Sequence, residues 1–249
     1  MPKKELAPDI IHYLFDPLPG KHFGNSIIAL MDGSKVLLID TAYEKQALQA
    51  LEDIKSNRLV IEKIIITHFH DDHMQGLKVL PKVEVYGSVD YKTTLELWTE
   101  SGEHQYFIPT ILIKEPTSIT FGKHFLTLIP FPGHSLCTLI IKINEQYVHI
   151  ADELMFSSDD KPLLPSTDPG CIKRHIASLE KLKEFSNYKL VPGHGMVIEG
   201  SQRVENEINN RIAYFEAILS SDKRITYEEA VKNCECEFLH SEWHEFVYD

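Results

Sequence analysis

From Ile66 to Gly76 the chain reads Ile-Thr-His-Phe-His-Asp-Asp-His-Met-Gln-Gly, so three histidines and two aspartates fall within six residues. The apolar run Ile64-Ile65-Ile66 leads directly into them. An apolar run that stops at a polar cluster reads as a buried strand ending at a site. Imidazole nitrogen and carboxylate oxygen are donors that borderline divalent metals such as zinc accept. So many groups that are costly to desolvate, at the end of a core strand, need a charge to gather them. Three more such residues follow β-rich runs: His134 in Pro132-Gly133-His134-Ser135, Asp152 after Val148-His149-Ile150-Ala151, and His194 in Pro192-Gly193-His194-Gly195. A proline and glycine ahead of each histidine set a tight turn that throws the imidazole outward. With His68, His70, Asp72 and His73 these make seven oxygen and nitrogen donors, enough for two metals with an open position between them.

The elements that must carry these residues are legible in most of the chain. Residues 25–30 and 35–40 flank an Asp32-Gly33 turn and predict a β-hairpin. Asp40, at its end, is read either as a carboxylate facing the metal cluster or as the cap of the helix predicted over 44–55. Short strands are expected at 63–67 and 82–87. Residues 88–118 are the least legible part, with a short helix over 91–98 and aromatic residues that either cover a pocket or pack on the domain. Residues 125–131, 136–143 and 147–151 read as strands. Thr167-Asp168-Pro169 reads as the start of a helix whose apolar face is Ile172, Ile176, Leu179, Leu182 and Phe185. Lys189-Leu190-Val191 is a last core strand, 201–219 a helix, and Thr226-Tyr227-Glu228-Glu229 a capping box. Residues 1–22, with Pro8, Pro17, Pro19 and Gly20, read as irregular. Strands followed by a helix recur in each half, so the expected fold is α/β, a four-layer αβ/βα sandwich of two face-to-face sheets with helices outside. One domain over 1–249 is expected, with a core at 23–200 and a helical extension at 201–249.

The ordered set His-x-His-x-Asp-His, Pro-Gly-His, Asp, Pro-Gly-His resembles that of the metallo-β-lactamase-fold hydrolases over about residues 23 to 200. The resemblance implies that His68, His70 and His134 hold a first metal and Asp72, His73 and His194 a second, with Asp152 bridging. Two cations roughly 3.5–4 Å apart lower the pKa of a shared water until hydroxide exists near neutral pH. Asp72 is placed to orient that nucleophile, so no Ser or Cys nucleophile is needed. The cofactor expected is a pair of divalent ions, zinc first, with iron and manganese compatible.

Departures from family branches narrow the substrate. Zinc β-lactamases lack the bridging aspartate, so Asp152 argues against antibiotic hydrolysis. Glyoxalase II-like thioesterases carry Gly-Cys-Gly-Arg soon after that aspartate, where this chain has Glu153-Leu154-Met155-Phe156. Lactonases of similar length place a tyrosine where Met155 stands, and flavodiiron proteins a glutamate where His70 stands. The expectation is a binuclear metal-dependent hydrolase cleaving an ester-like bond (carboxylic ester, lactone, thioester or phosphodiester) of a small molecule. The alternatives are a mononuclear iron sulfur dioxygenase of the same fold and a non-catalytic, metal-stabilised binding module.

Composition fits that reading. The 249 residues are 43% hydrophobic and 25% charged, with a formal net charge of -12, which predicts no nucleic-acid footprint across the surface. No apolar run is long enough for a membrane span and the first residues lack a signal-peptide core, so a cytoplasmic protein with no membrane partner is expected. Cys137, Cys171, Cys234 and Cys236 are read as free thiols. The aromatic tail at 238–248 is expected to dock on the body or on a second subunit of a homodimer. No role is assigned to His12, His22, His104, His124, His175, His240 or His244, and His149 is read as core or as backing a ligand.

Overall fold

The computed structural model describes residues 3–248 and forms two sheets. The first runs β1 (Lys3–Ala7), β2 (Ile10–Phe15), β3 (Asn25–Asp32), β4 (Lys35–Ile39), then, after helix α1 (Glu44–Ser56), β5 (Val60–Ile65). Helix α2 (Asp71–Met74) and a 3₁₀ turn at Gln75–Lys78 lead to β6 (Glu84–Ser88). Helix α3 (Tyr91–Trp98) and a 3₁₀ segment at Ser101–Tyr106 precede β7 (Ile111–Ile113). The four strands from β1 pair antiparallel and those from β4 to β7 parallel.

The second sheet holds β8 (Thr117–Phe121), β9 (His124–Pro130), β10 (Leu139–Ile143) and β11 (Tyr147–His149), closed at its edge by β12 (Lys189–Val191). Helices α4 (Ile172–Leu182) and α5 (Ser201–Leu219) cover it, and α6 (Tyr227–Ala230) and a 3₁₀ tail at Ser241–Tyr248 follow. Among the described residues, only β11 and β12 pair parallel there.

Side-chain alternation along the strands builds three apolar layers. On β3, Ile27 and Ala29 face α1 while Ile28 and Leu30 face the other sheet. Between the sheets those residues meet Leu126, Leu128, Leu139 and Ile141. Beyond the second sheet, Ile140, Val148 and Leu190 pack against Leu179, Leu182, Ile208 and Phe215 of α4 and α5. Helix, sheet, sheet, helix is the expected four-layer sandwich. The 25–40 hairpin, α5 and the capping box form as read, with Thr226 Oγ1 accepting from Glu229 N.

Two local readings are corrected. Residues 3–15 are not irregular but the hairpin β1–β2, whose prolines lie outside the paired strands: Pro8 stands beside Asp9 (φ 68°) in the turn. Positions 1 and 2 of that reading lie outside the described residues. The helix read from Thr167 begins only at Ile172, because Asp168 is turned inward and engaged elsewhere. The four cysteines are free, as read.

Candidate metal centre

The seven donors converge from both sheets at one edge of the sandwich. His68, His70, Asp72 and His73 follow β5, His134 sits between β9 and β10, and Asp152 and His194 follow β11 and β12. The Leu139 amide donates to the Thr67 carbonyl (2.7 Å), tying the two sheets together just beneath them. Among the seven, three groups of side chains come close enough to share an ion: His68, His70 and His134; Asp72, His73 and His194; and His68, His73 and Asp152.

Each histidine has its outward nitrogen engaged by an oxygen acceptor. His70 Nε2 donates to Asp168 Oδ1 (2.9 Å), His134 Nδ1 to the Ser166 carbonyl (2.8 Å), and His194 Nδ1 to the Gly24 carbonyl (2.7 Å). His73 Nδ1 donates to Asp40 Oδ2 (2.8 Å). His68 Nδ1 lies 3.1 Å from Thr67 Oγ1, whose own hydrogen goes to Asp40 Oδ2 (2.8 Å). These bonds fix the tautomers of His68, His70 and His134, so their inward nitrogens carry lone pairs, while the inward nitrogens of His73 and His194 face the Asp152 carboxylate. His70 Nδ1 then faces both His68 Nε2 and His134 Nε2 at 3.1 Å, lone pair against lone pair. Asp152 Oδ2 lies 3.1 Å from His194 Nε2, 3.3 Å from His73 Nε2 and 3.7 Å from His68 Nε2, while its buried Oδ1 has no partner. Lone pairs and an orphaned carboxylate oxygen converging in a buried space fit divalent cations.

Electrostatics follow from the same packing. Burial, then His73 and His70, holds His68 well below the usual imidazole range, and burial with His70 brings His134 down to about 4. Burial opposes charge on His73 and His194 too, but Asp152 and Asp72 outweigh it and raise both. Burial also works against the Asp168 carboxylate, yet its bond to His70 keeps it below the ordinary value. Burial pushes Glu153 up to about 8; its carboxyl braces the His134 loop, accepting from His134 N (3.0 Å) and Ser178 Oγ (2.5 Å).

The two Pro-Gly-His turns need glycine for space. A Cβ at Gly133 would stand 2.0 Å from Ser178 Oγ, and one at Gly193 2.3 Å from Asp152 Oδ1. Backbone strain gathers beneath the donors: Asp40 (φ 59°), Ala42 (φ 54°) and Ala151 (φ 49°) are left-handed without being glycine.

Asp40 therefore backs His73 and Thr67, and the cap of α1 is Tyr43. His149 is buried under the site, with Nδ1 accepting from Ala151 N (3.2 Å). Sequence reasoning missed Asp168, which it took for a helix start, and Trp98, whose Nε1 donates to the same Asp168 oxygen (2.8 Å). It also gave no role to His22 and His240, which with Glu242 come close enough to share an ion, His240 stacking on Trp243 at 4.4 Å. A cavity of about 520 Å³ opens over the centre, reaching His70, Asp72, His134 and Asp152. Residues 88–118 contribute Trp98 to its wall and the tail contributes Trp243, Phe246 and Val247. No helix among the described residues is long and apolar enough to cross a membrane.

Known proteins resemble this chain in sequence and in fold. The metallo-beta-lactamase superfamily model matches residues 19–194. A beta-lactamase-like protein 2 homolog of Drosophila melanogaster is 25% identical over 198 residues, 76% of this chain and 64% of that protein. A hydroxyacylglutathione hydrolase of Haemophilus ducreyi is 30% identical over 175 residues, 68% of this chain and 65% of that protein. The chain thus spans just under two thirds of the length of these relatives. Among solved structures, a metallo-beta-lactamase from Pontibacter korlensis superposes with a TM-score of 0.69 at 16% identity, covering 86% of this chain and 98% of that one, a likeness of fold. Because the matched stretch carries all seven donors on the loops that converge at the sheet edge, the chain belongs to the metallo-beta-lactamase superfamily.

Proposed function

We propose that this chain is a binuclear metallohydrolase acting on an ester-like bond of a small molecule. The observation that carries the reading is the convergence of imidazole lone pairs and the unpartnered Asp152 Oδ1 beneath an open cavity. His68, His70 and His134 would hold one ion, and Asp72, His73 and His194 the other. Asp152, whose Oδ2 lies between the two groups, would serve both. A second complete group of three donors is what two ions need, and metal content separates this reading from a one-iron oxygenase. Zinc suits this nitrogen and carboxylate set, as do iron and manganese. Bound there, the ions would supply an acidified water and a positive field for the oxygen that gains charge.

The protein's own part is orientation. The Asn25 side chain donates to the Asp72 carbonyl (2.9 Å) and pins that residue at the cavity wall. Asp72 accepts a hydrogen from the attacking water at a carboxylate oxygen and aims its lone pair at the scissile carbon or phosphorus. Phe23 packs edge-on against the His194 ring at 4.3 Å and keeps bulk water from that side. The test is Asp152→Ala. Turnover of ester and phosphodiester substrates should fall by about 100-fold or more, while the melting temperature of the chelator-stripped protein matches that of stripped wild type. Unchanged turnover overturns the assignment.

A further inference from the structure

We infer that the substrate is an uncharged or singly charged carboxylic ester or thioester bearing an apolar group on each side of the bond that is cut. This rests on the hydrolase reading above and adds to it the shape of the molecule cleaved.

Two separate aromatic walls flank the centre, one beside each group of donors. Trp98 of α3 lies against His70 (ring centroids 5.4 Å, interplanar 76°) and is anchored through Nε1 to Asp168, yet remains 49% exposed. On the other side Phe23 packs on His194 at 4.3 Å, and Trp243 of the tail packs on Phe23 at 5.7 Å. Met155 and Phe246 continue the lining, and Phe246 is 69% exposed. Large apolar side chains left exposed around the mouth of a cavity mark where apolar ligand surface is taken up. A scissile bond held over both groups of donors therefore has one substituent beside Trp98 and the other beside Phe23 and Trp243.

The charge of the walls works against polyanions. Among the described residues lining the cavity, Lys21 is the only cation, and its Nζ lies 4.9 Å over the Tyr43 ring. Asp71 and Asp168 line the same cavity, and the chain as a whole carries a net charge of -12. A nucleic-acid backbone needs a track of cations, and a glutathione thioester, with two carboxylates and an ammonium, would place a charged, polar group where the walls are aromatic. In the reaction, water adds to the carbonyl carbon and the bond from that carbon to oxygen or sulfur breaks. The products are the carboxylic acid and the alcohol or thiol, which takes up a proton from the water.

The test uses the metal-loaded protein and four probes: ethyl acetate, ethyl benzoate, phenyl acetate and phenyl benzoate. Each rate is divided by that probe's rate with hydroxide alone, which removes intrinsic reactivity. The normalised kcat/KM should rise about tenfold for each aromatic group added, the effect of burying one ring. Trp243→Ala should erase the gain from one of the two groups and Trp98→Ala the gain from the other. Trp98→Phe, which keeps the ring and drops the bond to Asp168, should retain it. Thermal melting of each variant separates loss of a wall from loss of the fold. Equal normalised rates across the four probes overturn the inference, as does faster cleavage of bis(4-nitrophenyl) phosphate or of a hydroxyacylglutathione thioester, and either result leaves the hydrolase standing. A protein that turns over none of these probes overturns the hydrolase reading and the inference with it.

Discussion

At the scale of single residues, the centre is organised from outside inward. Each histidine of the proposed metal set is oriented by an acceptor behind it: Asp168 for His70, Asp40 for His73, Thr67 for His68, and carbonyls of Ser166 and Gly24 for His134 and His194. A carboxylate in that position fixes the tautomer and strengthens the ring as a donor. Asp168→Asn keeps the shape but removes the charge, and the side-chain amide can present its nitrogen to His70. Metal affinity, measured by competition with a coloured chelator, should fall by about 10- to 100-fold while the fold survives; unaltered affinity would show that Asp168 is only a structural contact. That these seven residues would gather was legible because ligand types recur at fixed spacing within one short stretch and in two matching Pro-Gly-His turns. Asp168 and Trp98 were not, since nothing local marks a carboxylate that meets a histidine 98 positions earlier in the chain. Its neighbours Thr167 and Pro169 gave it the look of a helix start.

At the scale of elements, the site is a set of strand ends. β5, β11 and β12 each stop and release donors within a few residues, so packing in the sheets fixes where the proposed metal set begins. The turn at Pro192-Gly193-His194 passes close over Asp152 and His73, where any side chain would collide: a Cβ on Gly193 would lie 2.3 Å from Asp152 Oδ1 and 2.7 Å from His73 Cε1. Gly193→Ala should therefore displace two ligands at once. The expected result is loss of bound metal by elemental analysis with a far-ultraviolet circular dichroism spectrum like wild type's; full retention of metal would contradict this geometry. Element types were readable where the periodicity was long or the turn specific, as in α5, the Asp32-Gly33 hairpin and the Thr226 capping box. The β1–β2 hairpin was missed because prolines near its ends looked like breakers. They lie outside the paired stretches, and β1, an edge strand, carries Lys3, Lys4 and Glu5, charges that suit an edge exposed to solvent.

For the whole molecule, three apolar layers hold four layers of backbone together, and several neutral histidines are locked among them. His12, on β2, is fully buried and brought down to about 3, chiefly by burial and then by His149 and Lys4. Its Nε2 meets Ser26 Oγ at 2.9 Å and its Nδ1 has no partner. Unfolding lets it take a proton at the ordinary value of 6.5. The unfolded state thus binds more protons between pH 6.5 and about 3, and stability is lost as pH falls through that window. His12→Gln should flatten the acid limb of stability against pH by about 1.4 kcal/mol per pH unit, seen in urea melts at pH 5 and 6; an identical slope would show that His12 already shares a proton in the folded state.

The sandwich itself was legible as alternating strands and helices in two similar halves. The sharing of the cavity between α3 and the C-terminal tail was not, because it depends on where distant elements meet. The most direct measurement is elemental analysis of the protein purified without chelators, with ester turnover followed on the same sample as the metal is removed and restored. The account predicts about two divalent ions per chain and turnover that disappears and returns with them. One iron per chain with oxygen-dependent thiol oxidation, or full turnover in metal-free protein, would contradict it.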